Sequence, residues 1–223
     1  MASDEWRVAS KGAAAVAGYV LAGGASRRFG KDKALVELGG KPMLLRMLAA
    51  VDQARSRDEL VCDAVTVGSE DRYHTVWTRC VEDRWPGEGP LGGIVTALLY
   101  TQEQRPQCDW NLIVGCDMPF LTAEWLRFLT ERAAKSEAEV VLPHSVQGPE
   151  PLCACWRTDA VETLRVAFER GVRKVTEGIA LLSAEVLDEA EWKRFDNAGR
   201  LFSNMNTAQD YEEARRILES EPK

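Results

Sequence analysis

The sequence predicts a doubly wound α/β fold, a Rossmann-like arrangement of a mostly parallel sheet between two layers of helices, α/β/α. Three observations lead there. Strand-like and helix-like segments alternate through the first two-thirds of the 223 residues. The turns rich in glycine or acid come at the carboxyl ends of predicted strands, where open parallel sheets bind ligands. The first of them, Leu21 to Lys33 (LAGGASRRFGKDK), carries three glycines and four cations and joins an apolar strand to an apolar helical pattern.

In chain order, Val16, Tyr19 and Val20 belong to the first strand, within an apolar run from Ala13 to Leu21. After the glycine loop comes a turn at Gly39-Gly40. Pro42 to Ala54 then places Leu44, Leu45, Met47, Leu48 and Val51 at helical spacing, with proline suited to the first turn. Ala64 to Val67 reads as a strand ending at Gly68-Ser69, and Cys80-Val81 as another ending at Glu82-Asp83. Gly87 to Gly93 (GEGPLGG) is a second glycine loop, leading into a helix through Tyr100. Trp110 to Val114 is a buried strand stopped by Gly115-Cys116-Asp117. Thr122 caps a helix to about Ala134 with Glu124 in its first turn. Glu139 to Leu142 is a further strand.

The last third changes character. Leu152 to Trp156 alternates as a strand, Thr158 begins a helix lined by Val161, Leu164, Ala167 and Phe168, and Val172 to Leu182 reads as helical. Ala184 to Leu187 and Leu201 to Asn204 read as strands. Thr207 caps a final helix with Tyr211, Ala214, Ile217 and Leu218 turned inward. Without an internal repeat or a linker rich in Pro, Gly or Ser, residues 16–223 read as a single domain behind a flexible extension, residues 1–15.

Composition narrows the function classes. Hydrophobic residues make up 45% and charged residues 28%. No apolar run approaches the roughly 20 residues of a membrane helix. Ala13 to Leu21 follows Asp4 and Glu5 and runs into the glycine loop, so it reads as a strand and not a signal peptide. A net charge of −7 argues against non-specific nucleic-acid binding, and any phosphate site must bring its own cations or a metal. The six cysteines (Cys62, Cys80, Cys108, Cys116, Cys153, Cys155) contain no C-x-x-C pair, and His74 and His144 are far apart, so zinc has little support. Cys153 and Cys155 have strand spacing and face one side. Reduced thiols in the cytoplasm are the expectation.

The Leu21–Lys33 loop carries the chemistry. Glycines let backbone N–H groups approach a ligand, and consecutive N–H groups form an anion-binding nest. The other reading is a glycine turn with solvated charges. Yet Arg27, Arg28, Lys31 and Lys33 fall within seven residues of an acidic protein and would repel one another without an anion. It is not a Walker A loop: Gly24 to Gly30 is one residue too long, and Asp32 stands where Ser or Thr should. Adjacent Gly23 and Gly24 do not fit the dinucleotide fingerprint G-x-G-x-x-G. Asp117, following a buried strand and preceding Met118-Pro119, is placed to hold magnesium against a triphosphate, which needs one or two carboxylates plus phosphates. Its other reading is a strand-end turn.

The stretch resembles the signature L-A-G-G-x-S-x-R-x-G-x-D-K of the molybdenum cofactor guanylyltransferases, within the wider nucleotidyltransferase superfamily. Leu21, Ala22, Gly23, Gly24, Ser26, Arg28, Gly30, Asp32 and Lys33 fall on that pattern. Pro90-Leu91-Gly92-Gly93 is similar to the family's G-P-L-x-G, and Phe202 to Thr207 (FSNMNT) to F-x-N-x-N-T. The resemblance spans Val20 to Tyr211. It implies transfer of GMP from GTP to molybdopterin-bound molybdenum cofactor, releasing pyrophosphate, with Mg2+ as cofactor. It implies nucleotide contacts from Leu21, Ala22, Gly23, Gly24, Lys33, Gly68, Asp83, Pro90, Leu91, Gly92 and Asp117, with the second glycine, Gly24, pointing to guanine. Arg28, Asn204 and Asn206 would meet the second substrate (the two asparagines, alternatively, water around magnesium), Asp117 the metal, and Arg28, Lys33 and Asp117 the catalytic charge. Transient contacts with cofactor-synthesis or acceptor proteins follow from the same role. A relative using CTP or acting on a sugar or lactyl phosphate, and a non-catalytic nucleotide sensor of the same fold, stay open at this point. So do humbler roles: Lys31 as a solvated charge, Asp83 as a turn former, Asn206 as an Asx turn. Three departures concern substrate identity: Gly68 stands where the family often has asparagine, Thr207-Ala208-Gln209-Asp210 where it has T-P-E-D, and Trp156 where tyrosine is usual.

Overall fold

Side chains on the first strand alternate between two cores, the signature of a strand covered on both faces. Val16, Val20 and Ala22 pack into one cluster, and Ala17, Tyr19 and Leu21 into the other. The computed structural model describes residues 15–23, 32–54, 64–73, 79–196 and 198–220.

The elements run β1 (Val16–Ala22), a 3₁₀ turn (Lys33–Leu35), β2 (Glu37–Leu38), β3 (Lys41–Pro42), α1 (Met43–Gln53), β4 (Val65–Gly68), α2 (Glu70–Tyr73), β5 (Cys80–Glu82) and α3 (Pro90–Gln104). Then follow β6 (Trp110–Gly115), α4 (Ala123–Ala133), β7 (Val140–Ser145), β8 (Gly148–Pro149), β9 (Cys153–Arg157), a 3₁₀ turn (Thr158–Ala160), α5 (Val161–Glu169), α6 (Val175–Ile179), β10 (Ala184–Leu187), α7 (Glu189–Trp192), a 3₁₀ turn (Lys193–Phe195) and α8 (Ala208–Ser220).

The sheet order is β10-β7-β9-β6-β1-β4-β5, with β8 hydrogen-bonded to β7. The β1 pairings to β4 and β6, the β4 pairing to β5 and the β10 pairing to β7 are parallel. Only β9 breaks the direction of the main path, lying antiparallel between β6 and β7. The sheet is therefore mixed and mostly parallel, as the alternating segments predict. One core takes α1 and α4 through Leu44, Met47, Trp125 and Leu129, and the other takes α3 and α5 through Leu91, Ile94, Leu164 and Phe168. Cys153 and Cys155 lie in the first core and Ala154 and Trp156 in the second, as their strand spacing requires.

Three local expectations are corrected. Leu201–Asn204 is not a strand: Leu201 and Phe202 are both buried in the same core, which successive strand residues cannot be. The turn that permits this is held by Asp196 Oδ1, which accepts the N–H groups of Arg200 (2.7 Å) and Leu201 (3.1 Å), while Phe202 meets Trp125 and Trp192 edge-on. The Val172–Leu182 helix shrinks to Val175–Ile179, because α5 ends in a left-handed Gly171 (φ 100°) with Val172 N–H folded back onto the Ala167 carbonyl. Pro90 to Gly93 is no loop but the first turn of α3, with proline in the first helical turn and Gly92 and Gly93 buried.

Candidate active site

A cleft of about 750 Å³ opens at the carboxyl ends of β1, β4 and β6. Its walls come from segments far apart in the chain: Gly23 past β1, Asp32 and Lys33 at the start of the first 3₁₀ turn, Asp83 past β5, Gly87, Gly89 and Pro90 entering α3, Asp117 past β6, and Asn206 before α8. Gly87 and Gly89 hold φ of 84° and 97°, so the rim of the cleft follows a path that side-chain-bearing residues rarely take.

At its centre are Lys33, Asp117 and Asn206. Lys33 Nζ donates to Asn206 Oδ1 at 2.8 Å and lies 4.0 Å from Asp117 Oδ2. Asp117 is placed from both sides. A Cβ on Gly115 would lie 2.8 Å from Asp117 Oδ1, so any side chain at the end of β6 would displace the carboxylate from this position. The Asp117 carbonyl accepts the Met205 N–H at 2.8 Å, which ties the C-terminal segment to the β6 turn. Burial pushes the Asp117 carboxyl above its ordinary value, and the charge of Lys33 pulls it back only in part. Asn206 is anchored in turn: Asp210 Oδ2 accepts the N–H groups of Asn206 (2.8 Å) and Thr207 (2.7 Å), and Thr207 Oγ1 accepts the Asp210 N–H (3.1 Å). These backbone N–H bonds hold the Asp210 carboxyl below its ordinary value. Neighbouring Cys116 is buried and its thiol is pushed well up, so it stands neutral beside the site.

Residues 18–186 match the MobA-like NTP transferase domain family. The chain belongs to it. Curated relatives named probable molybdenum cofactor guanylyltransferase include one from Chloroflexus aggregans, 31% identical over 87% of this chain and 91% of the relative, and one from Haloferax mediterranei, 32% identical over 87% and 90%. Among solved structures, the molybdopterin-guanine dinucleotide biosynthesis protein A from Archaeoglobus fulgidus superposes with a TM-score of 0.77 at 25% identity, covering 92% of this chain and 100% of that one. A CMP:2-keto-3-deoxy-manno-octonic acid synthetase complexed with CTP shares the fold alone, at 9% identity and a TM-score of 0.68 over 94% of this chain and all of that one.

In this MobA-like chain the residues singled out from sequence fall into distinct places. Leu21, Gly23, Lys33, Asp83, Pro90, Asp117 and Asn206 line the cleft. Ala22, Leu91 and Gly92 are buried behind it, and a Cβ on Gly92 would lie 3.3 Å from both Phe168 and Trp85. Gly68 is buried too. A Cβ there would come 2.3 Å from the Ala22 carbonyl oxygen, and the Gly68 carbonyl accepts the Asp83 N–H, so it spaces β1 from β4 and seats the Asp83 turn. Asp83 fills its turn-forming part, with Oδ1 accepting the Trp85 N–H (3.0 Å) and the Thr96 hydroxyl (3.2 Å), and it still faces the cleft. Asn204 is half-buried and is not among the residues lining the cleft. Gly24, Arg27, Arg28, Gly30 and Lys31 lie outside the described residues.

Sequence reasoning missed Asp32, Gly115, Leu152 and Thr96 as parts of the site. Only Asp32, already inside the family signature, carried a signal that could have found it. The donor set suits magnesium better than a caged metal. Among the described residues no group of three or more His, Cys, Asp or Glu could enclose an ion. A half-buried carboxylate, Asp117, facing an open cleft is what a magnesium ion completed by substrate phosphates needs.

Proposed function

We propose that this protein transfers GMP from GTP to molybdopterin-bound molybdenum cofactor, releasing pyrophosphate, as a magnesium-dependent guanylyltransferase. The observation that carries the reading is the meeting of Lys33, Asp117 and Asn206 in one cleft, on a chain whose relatives bear that name. The reaction is an in-line displacement. An oxygen of the cofactor's terminal phosphate bonds to the α-phosphorus of GTP, the bond from that phosphorus to the β-phosphate bridge breaks, and pyrophosphate leaves with the electron pair. Magnesium held by Asp117 would screen the charge of the triphosphate.

The chain's own groups do the rest. The Lys33 ammonium meets negative charge that grows on the α-phosphoryl oxygens and the leaving pyrophosphate, and Arg28 is assigned the same work from the family signature. Asn206 turns Lys33 toward Asp117 before substrate arrives and then presents its carboxamide to the second substrate. Gly23 brings open backbone to the nucleotide, with no atom of the described residues, its chain neighbours apart, within 4 Å of where its Cβ would be. The Gly87–Pro90 rim meets base and ribose. No nucleophilic side chain is required, and the neutral Cys116 is not one.

Thermal unfolding with magnesium and GTP, CTP, ATP or UTP tests the reading, followed by pyrophosphate release on adding molybdenum cofactor. A nucleotide at a hundred times its dissociation constant stabilises by about 2.7 kcal/mol. Stabilisation by GTP alone, with cofactor-dependent pyrophosphate release, is expected. Stabilisation by CTP instead overturns the substrate, and stabilisation by none overturns the nucleotide site.

A further inference from the structure

Asp32 lines the cleft beside Lys33, yet its carboxylate is engaged by protein groups. Oδ1 accepts the Ala34 N–H at 3.0 Å, and Oδ2 accepts the Tyr73 hydroxyl at 3.1 Å and Arg72 Nη1 at 3.3 Å. A carboxylate spent in this way is a bracket and not a second metal ligand. What it brackets is the one-turn helix that opens at Lys33. Asp32 caps that turn with its side chain, its carbonyl accepts the Leu35 N–H at 3.1 Å, and the Lys33 carbonyl accepts the Val36 N–H at 3.2 Å.

Tyr73 has little freedom to move. It is 1% exposed at the end of α2, and its ring lies so close to β4 that a Cβ on Gly68 would be 2.8 Å from Cε2. Gly68 pairs with Ala22 at the ends of β4 and β1. A continuous line of contacts therefore runs from the rigid sheet end through the Tyr73 ring and hydroxyl to Asp32, and from Asp32 to the turn bearing Lys33. Asn206 fixes the far end of the same side chain at 2.8 Å.

We propose that Tyr73 is a positioning residue: through Asp32 its hydroxyl holds the turn that aims Lys33 into the cleft. The proposal rests on the reading of Lys33 as the reaction's cation. The plainer alternative is a buried tyrosine that satisfies its hydroxyl on a convenient carboxylate, which would affect stability and leave Lys33 alone. Arg72, whose side chain is 53% exposed, reaches the same oxygen from solvent and is the weaker partner.

Tyr73→Phe keeps the ring and deletes the hydroxyl, and two readouts follow. The first needs no activity: acetylation of Lys33 by an N-hydroxysuccinimide ester, mapped by peptide mass and normalised to the exposed Lys135. The Lys33 rate should change by about threefold or more in the variant, since a half-buried amine freed from a fixed geometry meets solvent differently. An unchanged rate overturns the proposal. The second is a double-mutant cycle on GTP-dependent pyrophosphate release. Tyr73→Phe should lower kcat about tenfold in the parent, with the KM for GTP within about twofold, and should cost nothing further on a Lys33→Ala background. Equal losses on both backgrounds mean a general structural role and overturn the proposal. If Lys33→Ala is as active as the parent, the Lys33 assignment fails instead, and the acetylation result stands on its own. Should Tyr73→Phe not fold, Asp32→Asn enters both measurements in its place, with the same outcomes expected.

Discussion

Asp117→Asn separates what the site costs the fold from what it does for the reaction. The change is nearly isosteric, so the tight fit against Gly115, where a Cβ would stand 2.8 Å from Asp117 Oδ1, is preserved. What disappears is one negative charge, 4.0 Å from Lys33 and facing the cleft. At that separation, with an effective dielectric of ~20, one pair of unit charges interacts by about 4 kcal/mol, and an ion held in contact would be nearer still. Loss of even about 3 kcal/mol of charge stabilisation in the transition state slows the reaction ~100-fold or more. Stability should move the other way. Because burial raises the Asp117 carboxyl above its ordinary value of 3.8, the folded protein holds that proton more tightly than the unfolded chain does. Folding stability therefore falls as pH rises from the unfolded value through the folded one, and the penalty is complete above both. Asparagine carries no such penalty. The variant should release pyrophosphate at least about a hundredfold more slowly, yet melt at or above the parent at pH near 7.5, with the difference shrinking toward pH near 4. Pyrophosphate release with saturating magnesium and thermal melts at the two pH values measure both. Retention of more than about a tenth of parent activity would falsify the electrostatic role, and a lower melting temperature at neutral pH would refute the burial reasoning.

Gly115→Ala should reproduce much of the Asp117→Asn activity loss from one residue away, because its Cβ must displace the carboxylate; single-turnover rates against chemical denaturation show whether activity falls further than stability. Gly68→Ala should destabilise the fold by ~2 kcal/mol or more, as its Cβ cannot stand 2.3 Å from the Ala22 carbonyl oxygen and 2.8 Å from Tyr73, and urea unfolding reads this directly. Thr101→Val keeps the shape but breaks a buried chain in which the Tyr19 hydroxyl meets Thr101 Oγ1 at 2.6 Å and Thr101 donates to Asn111 Oδ1 at 2.5 Å. A loss of about 2 kcal/mol in urea unfolding with GTP binding unchanged is expected, since that network is remote from the cleft.

The sheet was legible where pattern and environment agree. β1, β6 and β10 were read nearly to their ends because each is a short apolar or alternating run stopped by glycine or a polar turn. The direction of β9 was not legible, since an alternating strand reads the same whether its neighbours run with it or against it. Leu201–Asn204 misled for a related reason: two adjacent apolar residues suit a strand locally, and only the aromatic pocket of Trp125 and Trp192, built from distant parts of the chain, turns both to one side. Tertiary packing decided that segment over its own propensity.

The site divides along the same line. Residue types could be proposed from sequence because the phosphate chemistry of the proposed reaction would call for them: glycine where a backbone must approach, a cation and a carboxylate at strand ends. Which of them meet could not, because Lys33 and Asn206 stand 173 residues apart and Lys33 and Asp117 are joined only by the fold. The most consequential omission, Asp32, shows why a motif is an incomplete guide. Its place in the signature suggested a charged neighbour of Lys33, whereas its work depends on Tyr73, which contributes to no motif and is 41 residues away. A hydrogen bond of this kind leaves no periodicity and no spacing in the chain. It exists because β4 returns beside β1 and places α2 against Asp32 and the turn that opens at Lys33, so the residue proposed to steady the cation is selected by the sheet order and not by anything near the cation in sequence.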